Sequence, residues 1–315
     1  MGIMANYVFG VDVGGTTVKL GLFNLNGNVL DKWEIPTRTE NGGCNILPDI
    51  ADSIKNKMFE KSIVKEDVAG VGVGAPGPVD SEGVIHKAVN LGWSEMNLKK
   101  ELTALLDNMR VEGGNDANVA ALGEMWKGGG QGHKDLVAVT LGTGVGGGII
   151  INGKVVAGSN GSGGEIGHIH VEDAEEKACN CGNYGCLEQY ASATGITRLA
   201  NRKLQGSEQD SMLRQGEVSA KTVFDAVKAG DALAIEVAEQ FGEYLGKALA
   251  VIAGVVNPEI FVIGGGVSKA GEVLFDYIRP AFEKTVFHGC KDTQFALATL
   301  GNDAGIYGAA KMVID

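Results

Sequence analysis

The sequence is poor in positive charge. Its 315 residues include 27 lysines and arginines against 39 aspartates and glutamates, so the formal net charge is −12. A nucleic-acid-binding protein needs a positive surface to neutralise phosphates, and this balance argues against that class. A phosphorylated small molecule stays compatible with it, because backbone amides and a metal ion can hold phosphate groups without a basic patch.

Long apolar runs and cysteines are scarce as well. The longest apolar run, ALAVIAGVV (248–256), falls well short of the roughly 18 residues that a membrane-spanning helix needs. No basic leader precedes the first predicted strand, so we expect no signal peptide and no membrane association. Five cysteines, an odd number, do not make a disulfide framework. These absences predict a cytoplasmic globular protein.

Glycine, by contrast, is abundant, with 49 residues gathered in short clusters. Most clusters follow an apolar run, which is typical of strands that end in loops where the backbone approaches a ligand. The chain also repeats itself, because the hairpin pattern around DVGGTT recurs 127 residues later around LGTGVGG, with Thr143 in the place of Thr16. We therefore expect two related α/β domains, each with a mixed sheet, facing one another across a cleft.

Apolar periodicity predicts the helices and the domain limits. Helices are expected at about 46–60, 98–108, 117–127, 187–205, 219–229, 231–256, 270–286 and 303–313. The last is too short to be a domain and is expected to pack back on the N-terminal one. The predicted domains are a small one, 1–117 with 303–315, and a large one, 118–302.

The two glycine-rich hairpin turns are candidate phosphate sites. They comprise Asp12, Gly14, Gly15 and Thr16 in the first repeat and Thr143 and Gly144 in the second. Amides and a threonine hydroxyl can donate to phosphate oxygens, and Asp12 can hold a magnesium ion through water. One such turn alone favours a plain hairpin, but two at equivalent places favour phosphate binding. Neither turn matches a P-loop or a dinucleotide-binding turn.

Asn115 and Asp116 stand between a predicted strand and a predicted helix. Either residue can cap the helix, which is the purely structural interpretation. An aspartate that follows two glycines at a strand end can also accept a proton from a hydroxyl nucleophile, and we favour that role for Asp116. Asn90, in VNLGW, is a candidate ligand contact or a turn residue, with neither interpretation favoured.

Three of the five cysteines, Cys179, Cys181 and Cys186, fall within CNCGNYGC. Three thiolates and one imidazole complete a tetrahedral zinc site, and this spacing favours zinc over a redox cluster or a chance grouping. His168 and His170 are both candidates for the imidazole.

We favour His168 as the fourth ligand, because Glu165 beside it would then be fixed by the same site. Glu188, two residues after the last of the cysteines, would be positioned by the metal too. Zinc would then hold rigid a polar wall made of Glu165, His168 and Glu188. The isolated Cys44 and Cys290 are predicted to pack in the core.

The combined motifs resemble those of the ROK family of bacterial sugar kinases and repressors. They are DVGGTTVKLG, GVGAPGPVD, GGNDANVAALGE, LGTGVGGGI, GEIGH, CNCGNYGCLE and VIGGGV. The resemblance runs from about residue 7 to 313 and implies an actin-like, hexokinase-like (ribonuclease H-like) duplicated fold. VNLGW and GEIGHIHV are most similar to glucokinases of Gram-positive bacteria.

The resemblance also implies roles for individual residues. Asp116 matches the catalytic base, and the sugar-binding positions match Asn115, Asp116, Glu165, His168 and Glu188. The zinc ligands match His168, Cys179, Cys181 and Cys186. The phosphate loops match Gly14, Gly15, Thr16, Thr143 and Gly144, and the adenosine-side loop matches Gly264, Gly265 and Gly266.

The expected activity is transfer of a phosphoryl group from ATP to the 6-hydroxyl of glucose, with magnesium as catalytic ion and zinc as structural ion. Alternatives are a kinase for N-acetylmannosamine, fructose or mannose, and a sugar-sensing repressor. The first strand begins near Tyr7, leaving no room before it for a DNA-binding helix-turn-helix, which disfavours the repressor. The family suggests a homodimer or homotetramer.

Overall fold

The structure is a computed structural model that describes residues 5–314. Its strands are β1 Tyr7–Val13, β2 Thr17–Asn24, β3 Val29–Pro36, β4 Val68–Ala75, β5 Val84–Ile85, β6 Met96–Asn97, β7 Val111–Asn115, β8 Leu136–Leu141, β9 Val145–Ile151, β10 Lys154–Val155, β11 Ile260–Gly264 and β12 Gln294–Leu297. Its helices are α1 Glu40–Gly43, α2 Ile46–Glu60, α3 Leu98–Leu105, α4 Asp116–Lys127, α5 Glu188–Ala191, α6 Ala193–Gly206, α7 Ala220–Lys228, α8 Ala232–Val256, α9 Val273–Thr285 and α10 Ala304–Ile314.

Two five-stranded sheets share one plan. The first has the order β3-β2-β1-β4-β7 and the second the order β10-β9-β8-β11-β12, so each begins with a meander and continues with two later strands. In the first sheet β1, β4 and β7 are parallel, and in the second β8, β11 and β12 are parallel. The matching orders confirm the predicted duplication of a mixed α/β unit.

The predicted helices form with small changes at their ends. The segment expected as one helix over 187–205 is split at Ser192, whose backbone is extended and whose hydroxyl caps α6 by accepting from the Gly195 amide at 2.9 Å. Helix α3 ends earlier than expected because Asp107 and Asn108 have positive φ angles of 55° and 63°. Among the described residues, no helix is long and apolar enough to cross a membrane.

The two faces of the first sheet are covered by different helices. On β1, Phe9, Val11 and Val13 belong to a core cluster with residues of α2 and α3. Val8, which points to the opposite face, packs with Ile306 and other residues of α10. This alternation follows from the two-residue period of a strand, and it places Asp12 on the same face as Val8.

The chain divides into two compact units. The first runs to Lys134, takes in Gly148–Gly164 and resumes at Leu300, and the second consists of Asp135–Gly147 and Glu165–Thr299. The first unit includes α4, because this helix packs closely on α10. A side chain at Gly308 of α10 would collide with the carbonyl of Val119 in α4. The predicted division of the chain at residues 117 and 118 stays a prediction.

Candidate active site

The first glycine-rich turn joins β1 to β2 and is held from outside the hairpin. The Gly14 amide donates to the Thr17 carbonyl at 3.1 Å, and the Thr37 hydroxyl donates to the Gly14 carbonyl at 2.7 Å. Gly15 and Thr16 are exposed at the tip. A braced turn with an exposed backbone suits a group that must be bound by amides.

Asp12 lies just before this turn and is mostly buried. Burial and the negative charge of Asp116 raise its pKa to about 6, against a smaller opposing effect of Lys19. Lys19 is the cross-strand neighbour of Asp12, and its ammonium donates to the Asn302 carbonyl at 3.1 Å. A carboxylate whose ionisation is opposed by a second carboxylate is a suitable environment for a divalent cation, which relieves the repulsion between them.

Asn115 and Asp116 take different parts at the start of α4. Asn115 is the cap, since its side-chain oxygen accepts from the amides of Ala117 and Asn118 at 3.1 and 3.2 Å. Its amide group donates to the Gly77 carbonyl at 3.1 Å and to Asp116 Oδ1 at 3.0 Å. Asp116 is the first helical residue. The capping alternative therefore applies to Asn115, which orients the Asp116 carboxylate.

Asp116 and the first turn lie at the same edge of the first sheet. Because β1, β4 and β7 are parallel, their carboxyl ends share one edge, and Asp12, Gly74 and Gly114 are paired in one row. Two strand spacings separate Asp12 from Gly114, a distance of about 10 Å. Asp116 follows two residues later, so a phosphate on the turn and a hydroxyl on Asp116 would be neighbours.

Asn90 lies beside this turn. It is exposed within a short 3₁₀ segment, Val89–Leu91, and its Cβ lies 3.9 Å from the point where a Gly15 side chain would begin. In this exposed position the Asn90 side chain is accessible to a ligand, which is one of the two interpretations that the sequence allowed.

The second glycine-rich turn joins β8 to β9 and rests on Glu188. Thr143 is exposed at the tip, and the Gly142 amide donates to the Gly144 carbonyl at 3.0 Å. One Glu188 oxygen accepts from the Val145 amide at 3.0 Å. A side chain at Gly144 would collide with that carboxylate, so the position of Glu188 requires glycine there. The sequence did not reveal the contact between Val145 and Glu188, because the two residues are 43 positions apart in the chain.

The three clustered cysteines and His168 meet in space. Their ligand atoms all lie within 4.8 Å of one another. The Sγ atoms of Cys181 and Cys186 are 3.7 Å apart, and Cys179 Sγ is 3.9 Å from His168 Nδ1. Zinc–sulfur bonds of about 2.3 Å give tetrahedral edges of about 3.8 Å, so these four residues fit a zinc ion.

The thiols differ in acidity. Burial raises the pKa of Cys179, and burial together with the adjacent thiols raises the pKa of Cys186 to about 12. A hydrogen bond from the Asn183 backbone lowers the pKa of Cys181. Zinc binds thiolates, and such a cluster is stabilised by a cation that offsets their mutual repulsion.

The structure also separates the two candidate histidines. His170 lies outside the cluster, with its ring nitrogens 2.9 Å from the Tyr184 carbonyl and 2.8 Å from Asp173 Oδ1. His168 turns Nδ1 to the cysteines and lies with Nε2 4.0 Å from Glu165 Oε2. The four-residue cluster thus leaves Nε2 directed towards Glu165. Cys179 Sγ in turn lies 3.7 Å from a Glu188 oxygen, which ties the cluster to the second turn.

The loop predicted on the adenosine side follows β11. Gly264 is buried at the strand end, Gly265 has a φ of +84°, and Gly266 is exposed. The Ser268 hydroxyl donates to the Gly265 carbonyl at 2.8 Å, which closes the turn.

A small cavity of about 200 Å³ adjoins the second turn, and sequence reasoning missed part of its lining. Thr143, Cys179 and Glu188 line it together with Thr194 and Arg198. The Thr194 hydroxyl donates to the Thr143 carbonyl at 3.0 Å. The Ser-Ala-Thr sequence that opens α6 is a helix-start signal, but it does not predict a contact with a turn fifty residues earlier.

Behind the zinc cluster lies a buried carboxylate, Glu175, whose side chain is 1% exposed. It contacts Arg198 at 3.0 Å and Arg202 at 3.2 Å, and it accepts from the Tyr190 hydroxyl at 2.5 Å. Burial raises its pKa, but hydrogen bonds from Tyr190, the Lys177 amide and Arg202, with the charge of Arg198, bring the pKa down to about 2. Tyr190 belongs to the helix that begins at Glu188, so this network supports the polar wall.

The network should make stability depend on pH in acid. An unfolded glutamate has a pKa near 4.5, so the contribution of Glu175 is complete above that pH and is lost as the pH falls towards about 2. We expect Glu175→Gln to lower the melting temperature at neutral pH, and the difference from wild type to shrink below about pH 4.5. Scanning calorimetry from neutral pH into this acid range measures the two melting temperatures. The exposed neighbour variant Glu176→Gln is the control, and a difference independent of pH would contradict the assignment.

Comparison with known proteins decides the family. The model of the ROK family matches residues 8–315. The chain belongs to the ROK family. A glucokinase of Halalkalibacterium halodurans in this comparison is 46% identical over 310 residues, covering 96% of this chain and 94% of that protein.

Two further relatives show the range of activities within the ROK family. A ROK glucokinase of Streptomyces griseus, solved in complex with glucose and AMPPNP, is 34% identical, has a TM-score of 0.74 and matches 97% of this chain and 98% of its own. A DNA-binding transcriptional regulator of Escherichia coli is 34% identical over 290 residues, which are 89% of this chain and 67% of the regulator. Likeness to these ROK proteins establishes the actin-like two-domain fold.

Proposed function

We propose that this protein is an ATP-dependent glucokinase, which converts D-glucose and ATP to glucose 6-phosphate and ADP. The observation that carries the proposal is the position of Asp116 at the same sheet edge as the Gly14–Thr16 turn. A glucokinase shares 46% of the sequence, and another was solved with glucose and an ATP analogue.

In the proposed reaction Asp116 is the general base. It accepts the proton of the 6-hydroxyl as O6 forms a bond to the γ-phosphorus, and the bond from that phosphorus to the β,γ-bridging oxygen breaks to release ADP. Asn115 holds the carboxylate through its hydrogen bond to Oδ1. Positioning of this kind accounts for much of the rate enhancement in phosphoryl transfer, because the protein takes little part in the covalent chemistry.

The phosphates are proposed to bind at the two hairpin turns. Backbone amides near Gly15 and Gly144 and the hydroxyls of Thr16 and Thr143 are the donors. Asp12 would hold magnesium, which neutralises charge on the phosphates when bound. The turn after β11, Gly264–Gly266, is proposed to contact the adenosine.

The sugar is proposed to be held by a polar set that offers both hydrogen-bond donors and acceptors: Asn90, Asn115, Asp116, Glu165, His168 and Glu188. Zinc on His168 and the three cysteines would be structural, since the protein atoms at its four positions leave no open place for a substrate. Fixed hydrogen-bonding groups reject a wrong epimer, because they would be left unpaired.

Glucose should be the best substrate in a panel of sugars assayed by ADP release. We expect N-acetylglucosamine and fructose to be much poorer, because the polar set offers donors and acceptors for every ring hydroxyl, whereas an acetamido group needs additional space. The same assay tests the alternative kinases. A higher kcat/KM for N-acetylmannosamine or mannose would overturn the choice of glucose but not the kinase mechanism.

A sugar-sensing regulator is the second candidate, favoured by the likeness to the Escherichia coli protein. A regulator of this kind needs to bind sugar but not to release ADP. Glucose binding without any glucose-dependent ADP release, with magnesium and zinc present, would therefore support it and contradict the kinase.

The protein is further proposed to be a cytoplasmic homodimer or homotetramer. Clustered thiols that bind zinc suit a reducing compartment. Val251 and Val255, on one face of α8, are 59% and 78% exposed and offer apolar surface for assembly. Light scattering on the purified protein measures the oligomeric state.

A further inference from the structure

Asp12 lies against the C-terminal helix α10. Val8, Gly10 and Asp12 share the face of β1 that this helix covers. A side chain at Gly10 would collide with the carbonyl of Ile306. The backbone of α10 therefore runs directly over β1, and the first turn of the helix reaches the level of Asp12.

Gly305, in that first turn, meets the Asp12 side chain. A Cβ atom at position 305 would lie 2.5 Å from Asp12 Cγ and 2.7 Å from Oδ2. Carbon atoms in folded proteins do not approach so closely, so the carboxylate occupies the space that a side chain would fill. The first turn of a helix also favours a carboxylate through its dipole.

The contact differs from the other glycine contacts of α10. The three atoms nearest to a Cβ at Gly305 all belong to the Asp12 side chain. At Gly308, one turn later, the nearest atoms are backbone atoms of α4, including the carbonyl of Val119. Gly308 thus serves helix packing, whereas Gly305 makes room for one particular carboxylate.

We propose that Gly305 is a positioning residue for Asp12, and that it sets the place of this carboxylate relative to Asp116. The proposal rests on the proposed function, in which Asp12 holds the magnesium of the nucleotide. A methyl group at position 305 displaces the Asp12 carboxylate from α10 while leaving Asn90, Glu165 and the zinc cluster untouched.

The test compares Gly305→Ala with Gly308→Ala. For Gly305→Ala we expect binding of magnesium–AMPPNP, measured by calorimetry, to weaken by at least about tenfold, since an ångström of misplacement can cost that much. Glucose binding should stay within about twofold of wild type. Gly308→Ala should lower the melting temperature and leave nucleotide binding nearly unchanged. Equal nucleotide effects in the two variants would overturn the proposal.

A second measurement works even if Gly305→Ala folds poorly. In an Asp12→Gly background all three of the clashing atoms are absent, and alanine at position 305 is the better helix former. Gly305→Ala should therefore lower the melting temperature in the wild type and leave it unchanged or higher in the Asp12→Gly protein. An equal decrease in melting temperature in both backgrounds would contradict the proposed contact between position 305 and Asp12. This cycle needs no activity, so it is readable even if no sugar is phosphorylated and the proposed function fails.

Discussion

Asp116→Asn is expected to lower kcat for glucose phosphorylation by a factor of about 10² to 10⁴, the usual contribution of a general base. Asparagine keeps the shape of the side chain and the acceptor for the Ala117 amide at 2.8 Å, but it cannot take the proton of the 6-hydroxyl. The cap of α4 is Asn115, so the melting temperature should hardly change. Steady-state kinetics measures kcat, thermal unfolding measures the melting temperature, and calorimetry measures the affinity for glucose.

A variant for comparison is Asn115→Ala, which removes the cap of α4 and also the hydrogen bond to the Asp116 carboxylate. It should cost about 1 kcal/mol of stability through the lost hydrogen bonds to Ala117 and Asn118. Glucose binding should survive in Asp116→Asn, because a general base acts mainly in the transition state. If that variant kept more than about a tenth of wild-type kcat, proton transfer would have to be assigned to another group.

Cys181→Ser is expected to abolish zinc binding, lower the melting temperature and raise the KM for glucose together. Cys181 is the exposed member of the cluster, so the change leaves no buried hole, yet it removes one of the four ligand atoms. Wild-type protein should contain about one zinc per chain. The metal links the His168 side chain to the loop that carries Cys186 and, two residues on, Glu188, and loss of zinc removes that link.

The control for this variant is Cys44→Ser. Cys44 was expected in the core but is exposed, directly after the left-handed turn at Asn41–Gly43, whereas Cys290 is buried as expected. Serine at position 44 should change neither zinc content nor stability. Metal analysis of untagged protein decides the matter, and active wild-type enzyme with almost no zinc would refute the structural role.

The repeated fold was predictable because its signals are local. Asn26–Gly27 and Asn152–Gly153 each favour a tight turn between strands, and the structure has positive φ angles at Gly27, Asn152 and Gly153. The break at Ser192 was missed although serine is a strong cap, since the apolar pattern continues through it. Local propensity and periodicity compete there, and periodicity gave the wrong answer.

The site was predictable only where its residues are near one another in sequence. Cys179, Cys181 and Cys186 show their shared role through spacing alone. The support of Glu188 by the Val145 amide, and the contact of Asp12 with Gly305, join residues dozens to hundreds of positions apart. Such pairings depend on how strands and helices stack, and a single sequence carries no direct record of that.

The placement of α10 also has a consequence for how the protein is made. Helices α2 and α3 can cover one face of the first sheet early, but the face with Val8 and Phe23 is completed by Ile306, Ala310 and Val313. These residues leave the ribosome after every strand of both sheets. A nascent chain therefore carries an open apolar face until well after its last strand has been made, and during that interval it is a natural client for chaperones.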